Sequence, residues 1–271
     1  MTASLKYLLS LSLVLLKVSL CFGEASEEEM NKSNNPLTPM AGLVLQDYSA
    51  PELYGSDETT NSFLMRGTLP FVWKDIPQLS RVTIPYNTVP SMDGEDVSAL
   101  GDINIFDIFL TGTPRLQLGI GPYLVLPTAS KDETGAGKWQ IGAAGVVMAP
   151  MYWGLLGALL TYQHDFAGDS DRPTQNIFTA QPFVIYNLPH AFYLRSVGIW
   201  YFNWENGDYY IPVGFGAGKV WKRESGTTVN LYLEPQWTVA HEGDGHPKFQ
   251  YLFGINFQYP LGTTSIVGRN D

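Results

Sequence analysis

The chain has 271 residues, 26 of them acidic and 16 basic, for a formal net charge of −10. That balance argues against nucleic acid as a partner. A single cysteine, Cys21, excludes a disulfide scaffold and thiolate metal sites.

The N-terminus carries Lys6, an apolar run from Tyr7 to Leu16, and then Cys21-Phe22-Gly23 ahead of the acidic Glu24. A short positive region, a brief apolar core and small residues at the end predict a secretory signal over 1–23. Lys17 cuts the run short of the length a spanning helix needs. A lipoprotein signal acylated at Cys21 is the rival, but Leu20 before it is not small. Residues 24–41, with Glu27-Glu28-Glu29 and prolines 36 and 39, are polar and unpatterned, and predict a mobile lead-in.

From residue 42 to 260 apolar-rich segments recur with turn residues between them. They fall at Gly42–Tyr48, Asn61–Val72, Gln78–Asn87, Ser98–Leu110, Arg115–Leu126, Trp139–Ala149 and Tyr152–Asp165. Further segments follow at Asn176–Asn187, Phe192–Asn203, Tyr209–Trp221, Thr228–Ala240 and Phe249–Tyr259, before a tail over 261–271. In the last segment Phe249, Tyr251, Phe253, Ile255, Phe257 and Tyr259 alternate with Gln250, Leu252, Gly254, Asn256 and Gln258. One greasy and one wet face on about eleven residues is what a tilted strand needs to cross a bilayer. Short connections alternate with long acidic ones, as on the periplasmic and outer rims of an outer-membrane barrel. Parity from an exported N-terminus then predicts an all-β fold: an antiparallel transmembrane β-barrel of about twelve strands.

Some segments are less clean. GDINIFDIFL (101–110) and Trp139–Ala149 have apolar residues on both faces, and Gly154–Leu160 fits a short buried helix as well as a strand. Flanking Tyr152, Trp153 and Tyr162 suit an interfacial aromatic girdle, which favours the strand.

Alternation turns Arg115, Gln117, Tyr232, Glu234, Gln236, Gln250 and Asn256 toward the lumen. Arg115 and Glu234 would tune the field of a pore, or pair off inside a filled barrel. His164-Asp165 at a strand end lacks a serine nucleophile motif, with Ser170 merely a loop neighbour, so no enzyme is expected. HEGDGH (241–246) holds His241, Glu242, Asp244 and His246, but on a glycine-rich tip that does not fix ligands. No motif calls for a metal or a cofactor. The acidic long-loop rim suits divalent cations and lipopolysaccharide, so outer-membrane lipids are the expected surroundings.

The order GDINIFDIFL, LQLGIGPYLVLPTA, GAGKWQIGAAGVV, FAGDSDRP, QPFVIYNL, WYFNWE, IPVGFGAGKVW and VNLYLEPQW resembles bacterial outer-membrane proteins grouped with the meta-pathway phenol degradation family. The resemblance covers about Thr60 to Pro260 and implies a Gram-negative outer-membrane channel or transporter for small molecules, aromatic or hydrophobic ones among them. A structural or adhesive barrel with a filled lumen is the alternative, and a membrane-embedded hydrolase around His164 a third reading. The tail beyond Tyr259 departs from the usual aromatic C-terminus of outer-membrane strands.

Overall fold

The computed structural model describes residues 23–91 and 94–261. The predicted signal up to Phe22, Cys21 within it, and the tail from residue 262 lie outside the described residues. Sixteen strands form one sheet: β1 (Gly23–Glu24), β2 (Ala41–Leu53), β3 (Thr60–Trp73), β4 (Ile76–Pro90), β5 (Asp96–Leu100) and β6 (Ile103–Thr113). Then come β7 (Leu116–Leu126), β8 (Lys138–Met151), β9 (Gly154–Gly168), β10 (Asn176–Asn187), β11 (Phe192–Ser196) and β12 (Trp200–Asn203). The last are β13 (Tyr209–Gly214), β14 (Gly216–Lys222), β15 (Thr228–Glu242) and β16 (Pro247–Tyr259).

Two-residue β1 only pairs with the end of β14 and is no wall strand. Of the other fifteen, three pairs, β5 with β6, β11 with β12 and β13 with β14, are single wall strands interrupted once, so the wall has twelve. Neighbours pair antiparallel throughout, and β16 pairs with β2 from Gly254↔Gln46 to Tyr259↔Ala41, which closes the barrel. Closure leaves no wall strand with an open edge. The interruption between β11 and β12 lies opposite Pro182 of β10, which has no N–H to donate.

The predicted alternation holds in register. Leu233, Trp237 and Val239 of β15 are exposed while Tyr232, Glu234 and Gln236 are buried. On β16, Tyr251, Phe253 and Tyr259 are exposed while Gln250, Leu252 and Gln258 are buried. Cross-strand pairs such as Leu233↔Phe253 and Gln236↔Gln250 keep each set on its own face. Polar pairs interrupt the apolar exterior in places: Ser80 and Asp107 stand directly opposite, both outward, and the Ser80 hydroxyl donates to Asp107 Oδ1 at 2.8 Å. The short end is built from tight turns; at Lys74-Asp75 both residues take positive φ (49° and 64°), the mirror-image turn that matches strand twist.

Several segment boundaries move. Residues 42–48, the weakest of the predicted segments, belong to the thirteen-residue β2. Gly154–Leu160 is strand, paired along its length with β8 and β10. Arg115 is not a lumen residue: it sits exposed in the turn between β6 and β7. Pro114 cannot donate to a ladder, so the strand begins one residue later than expected.

The largest correction concerns the lead-in. Glu27–Asn34 forms a helix, α1, not a mobile segment. Ser26 caps it: its hydroxyl accepts from the Glu29 N–H at 3.3 Å, and the Glu29 carboxylate accepts from the Ser26 N–H at 2.8 Å. The helix sits inside the barrel at the short-turn end. Met30 is buried in one cluster with Ala144, Val146 and Met148 of β8 and Leu155 and Leu159 of β9. This explains why β6 and β8 are apolar on both faces: one face meets the exterior, the other packs against the helix and Leu37 beyond it.

Candidate functional site

Inward residues of β2, β3, β11, β15 and β16 form a polar network across the lumen wall. Arg195 of β11 donates through Nε to Glu234 Oε2 of β15 at 2.7 Å, with the two side chains 7% and 0% exposed. Glu234 Oε1 also accepts from the Val197 N–H at 2.8 Å and from Gln236 Nε2 at 3.0 Å. Gln250 Nε2 continues the chain to Gln236 Oε1 at 2.6 Å. A buried carboxylate without such donors would cost several kcal/mol, so the network is the condition for keeping Glu234 inside.

On the same wall the Arg195 guanidinium lies 3.7 Å from the centre of the Tyr232 ring. The Tyr232 hydroxyl accepts from Gln46 Nε2 at 2.7 Å, and Gln46 Oε1 accepts from Arg66. Glycines make room for these large groups: a Cβ on Gly214 would collide with the Glu234 carboxylate, and one on Gly254 with the Tyr232 ring.

Among the described residues, members of the network border a cavity on each of its sides. On the helix side about 120 Å³ is lined by Arg66, Arg81, Arg195 and Tyr232 together with residues 33–36 of the N-terminal segment. On the long-loop side about 390 Å³ is lined by Tyr48, Ser62, Asn87, Tyr210, His246 and Gln250.

Helix α1 closes the short-turn end through polar contacts. Asn31 donates to the Met151 carbonyl at 3.3 Å and accepts from Asn187 at 3.0 Å. Asn230 donates to Asn34 at 3.0 Å, Asn256 to the Ser33 carbonyl at 3.1 Å, and Asn35 to Gln117 at 2.7 Å. The Lys222 ammonium meets Glu29.

Burial alone would raise the Glu29 carboxyl, but the Lys222 ammonium and Ser26 outweigh it and hold it below its ordinary 4.5. A carboxyl depressed in the docked state supports docking fully above its ordinary value and loses that support as pH falls through its docked value. The helix is therefore expected to stay docked at neutral pH and to loosen below about pH 4.5. A fluorophore on residue 31 that stays equally quenched from pH 7 to pH 3 would contradict this.

The structure thus places Gln117, Tyr232, Glu234, Gln236, Gln250 and Asn256 on the inner face, and joins Tyr232, Glu234, Gln236 and Gln250 in one network. Gln117 and Asn256 instead hold the N-terminal segment, and Arg115 lies at the rim. Arg195, Arg66, Arg81 and Gln46 were missed. Each stands on the inward parity of its strand, Arg66 between Met65 and Gly67 and Arg195 between Leu194 and Ser196, so following that parity through every strand would have found them.

His164 faces outward opposite Ile141, and Ser170 lies exposed on its loop. His241 stacks on Tyr54 at 3.4 Å while His246 stacks on Tyr210 at 5.0 Å. Among the described residues no three His, Cys, Asp or Glu side chains gather as a metal site.

No protein-family model and no curated protein matches the sequence. The fold is matched by the COG4313 outer membrane channel from Pseudomonas putida F1, at a TM-score of 0.60 and 14% identity over 81% of this chain and 95% of that one. The architecture is a closed, twelve-stranded antiparallel β-barrel. The β domain of the Bordetella autotransporter BrkA matches at 0.44, with 10% identity over 82% of this chain and all of that one. Outer membrane phospholipase A from Escherichia coli matches at 0.42, with 12% identity over 86% and 98%. The expectation that the chain is not an enzyme does not stand, since a closed antiparallel barrel by itself neither supplies nor excludes catalysis.

Proposed function

We propose that this chain is an outer-membrane channel or transporter for small molecules, exported by its N-terminal signal and closed at the short-turn end by α1. The observation that carries the reading is the pair of cavities stacked inside a closed barrel with a polar inner wall, capped by a helix held largely through side-chain hydrogen bonds. The likeness to a channel barrel supports it, and the sequence resemblance to the meta-pathway phenol degradation group points to aromatic solutes. Lipids and lipopolysaccharide surround it in this reading, the acidic long loops facing outward.

The test is solute flux into liposomes. Protein lacking residues 24–40 is expected to admit small solutes several-fold faster than the full chain, while keeping its folded, heat-modifiable gel mobility. Equal and negligible flux from both folded proteins would leave the structural or adhesive barrel, in which the Arg195–Glu234 network simply fills the lumen.

A further inference from the structure

We propose that the helix-side cavity is a binding site for a small monocarboxylate with an apolar body. The inference rests on the channel reading only for where the anion travels, not for whether it binds. Two guanidinium groups carry it. Arg66 and Arg81 point inward from adjacent strands, on the neighbouring pairs Arg66↔Thr83 and Thr68↔Arg81, and both line the cavity.

Neither has a counter-ion among the described residues: the carboxylate on this part of the wall, Glu234, is taken up by Arg195. Arg66 reaches only the neutral Gln46, and Arg81 lies 4.2 Å over the Phe106 ring. The Nε of each is buried and without a hydrogen-bond partner. Two like charges on diagonal positions of one face, out of bulk water and unneutralised, are unfavourable unless an anion joins them.

The rest of the lining sets the class of anion. Asn230 and Gln181 offer further polar contacts, whereas Val44, Phe183, Ile185 and Val197 form an apolar flank. The carbonyl of Ser33, which would repel an anion, is already covered by Asn256. A volume of about 120 Å³ is somewhat below the roughly 150 Å³ of a cavity that holds benzene. A carboxylate seated on the planar forks of two arginines matches the charge, and one ring is the upper limit that the space sets for its body.

The test measures calorimetric binding of benzoate, benzamide, benzylamine and chloride to the full chain folded in detergent. Benzoate is expected to bind and to raise the temperature at which heat-modifiable mobility is lost. Benzamide, the same ring without charge, is expected to bind at least tenfold more weakly, and benzylamine not at all. Arg81→Met and Arg66→Met should each lower benzoate affinity at least tenfold, whereas Arg115→Gln, at the rim, should leave it unchanged. Benzamide bound as tightly as benzoate, or chloride displacing benzoate at equal concentration, would overturn the proposal using unaltered protein, whatever the variants' folding. Benzoate binding without liposome flux would keep the site and remove the channel reading. Flux of benzoate and benzamide alike without benzoate binding would remove the site and leave the channel.

Discussion

Glu234→Ala is expected to destabilise the folded barrel by about 3–5 kcal/mol, the range for removing one partner of a buried ion pair. The carboxylate is fully buried and satisfies three donors at once: Arg195, the Val197 N–H and Gln236. Its loss strands a guanidinium inside the barrel and orphans a backbone N–H beside the interruption between β11 and β12, where Gly198 and Ile199 make no ladder bonds. Replacing both partners, as in Arg195→Met with Glu234→Leu, removes the charges together and should recover most of the loss. Denaturant titration of protein refolded in detergent measures both. A cost below about 1 kcal/mol for Glu234→Ala would mean that the pair is effectively solvated.

Phe215→Arg should cost about 2–4 kcal/mol, the range for a cation on the lipid face near the bilayer midplane. Phe215 is 65% exposed, lies between β13 and β14, and its own N–H is satisfied by the Pro235 carbonyl at 3.1 Å, so the substitution breaks no hydrogen bond. It is six residues from the start of β13 and seven from the end of β14. Lys219 shows the contrast: it also points outward, but near the short-turn end, with its ammonium 4.3 Å over the Phe192 ring. There the stem can lie on apolar surface while the charge reaches the interface. Phe215→Leu should be nearly neutral in the same folding titration. An equally small cost for arginine would place this face away from hydrocarbon.

The wall was readable from residues because its signal is redundant. In β15 and β16 every second side chain is apolar, and a slip of one residue would turn Tyr251, Phe253 and Trp237 inward and Glu234, Gln236 and Gln250 out toward lipid. The strand count followed from turn lengths. The interior was harder, because what lies inside a barrel contacts residues far apart in sequence. Glu27–Asn34 reads as polar and unpatterned, yet Ser26 and Glu29 are a capping box three residues apart and mark a helix start. A second trace lay in the two-faced apolar strands: Ala144, Val146 and Met148 had to pack on something, and that something is Met30. Arg115 was misassigned because alternation was carried one residue past the strand end into a proline turn. The pairing of Glu234 with Arg195 needed the barrel itself, since it depends on β14, β11 and β15 lying side by side.

The claim that the barrel is a conduit closed by its own N-terminal helix is tested most directly by locking that helix. Asn31 of α1 and Asn187 of β10 meet at 3.0 Å, so cysteines at both positions, in a Cys21→Ser background, can be bridged by a short cleavable thiol cross-linker. Flux of a small solute into liposomes is then measured before and after cleavage of the bridge. Flux that is suppressed while the helix is held and returns on cleavage is the predicted result. Flux unchanged by bridging, in protein shown to be folded and fully bridged, would contradict the account, because solute would then pass without the helix moving.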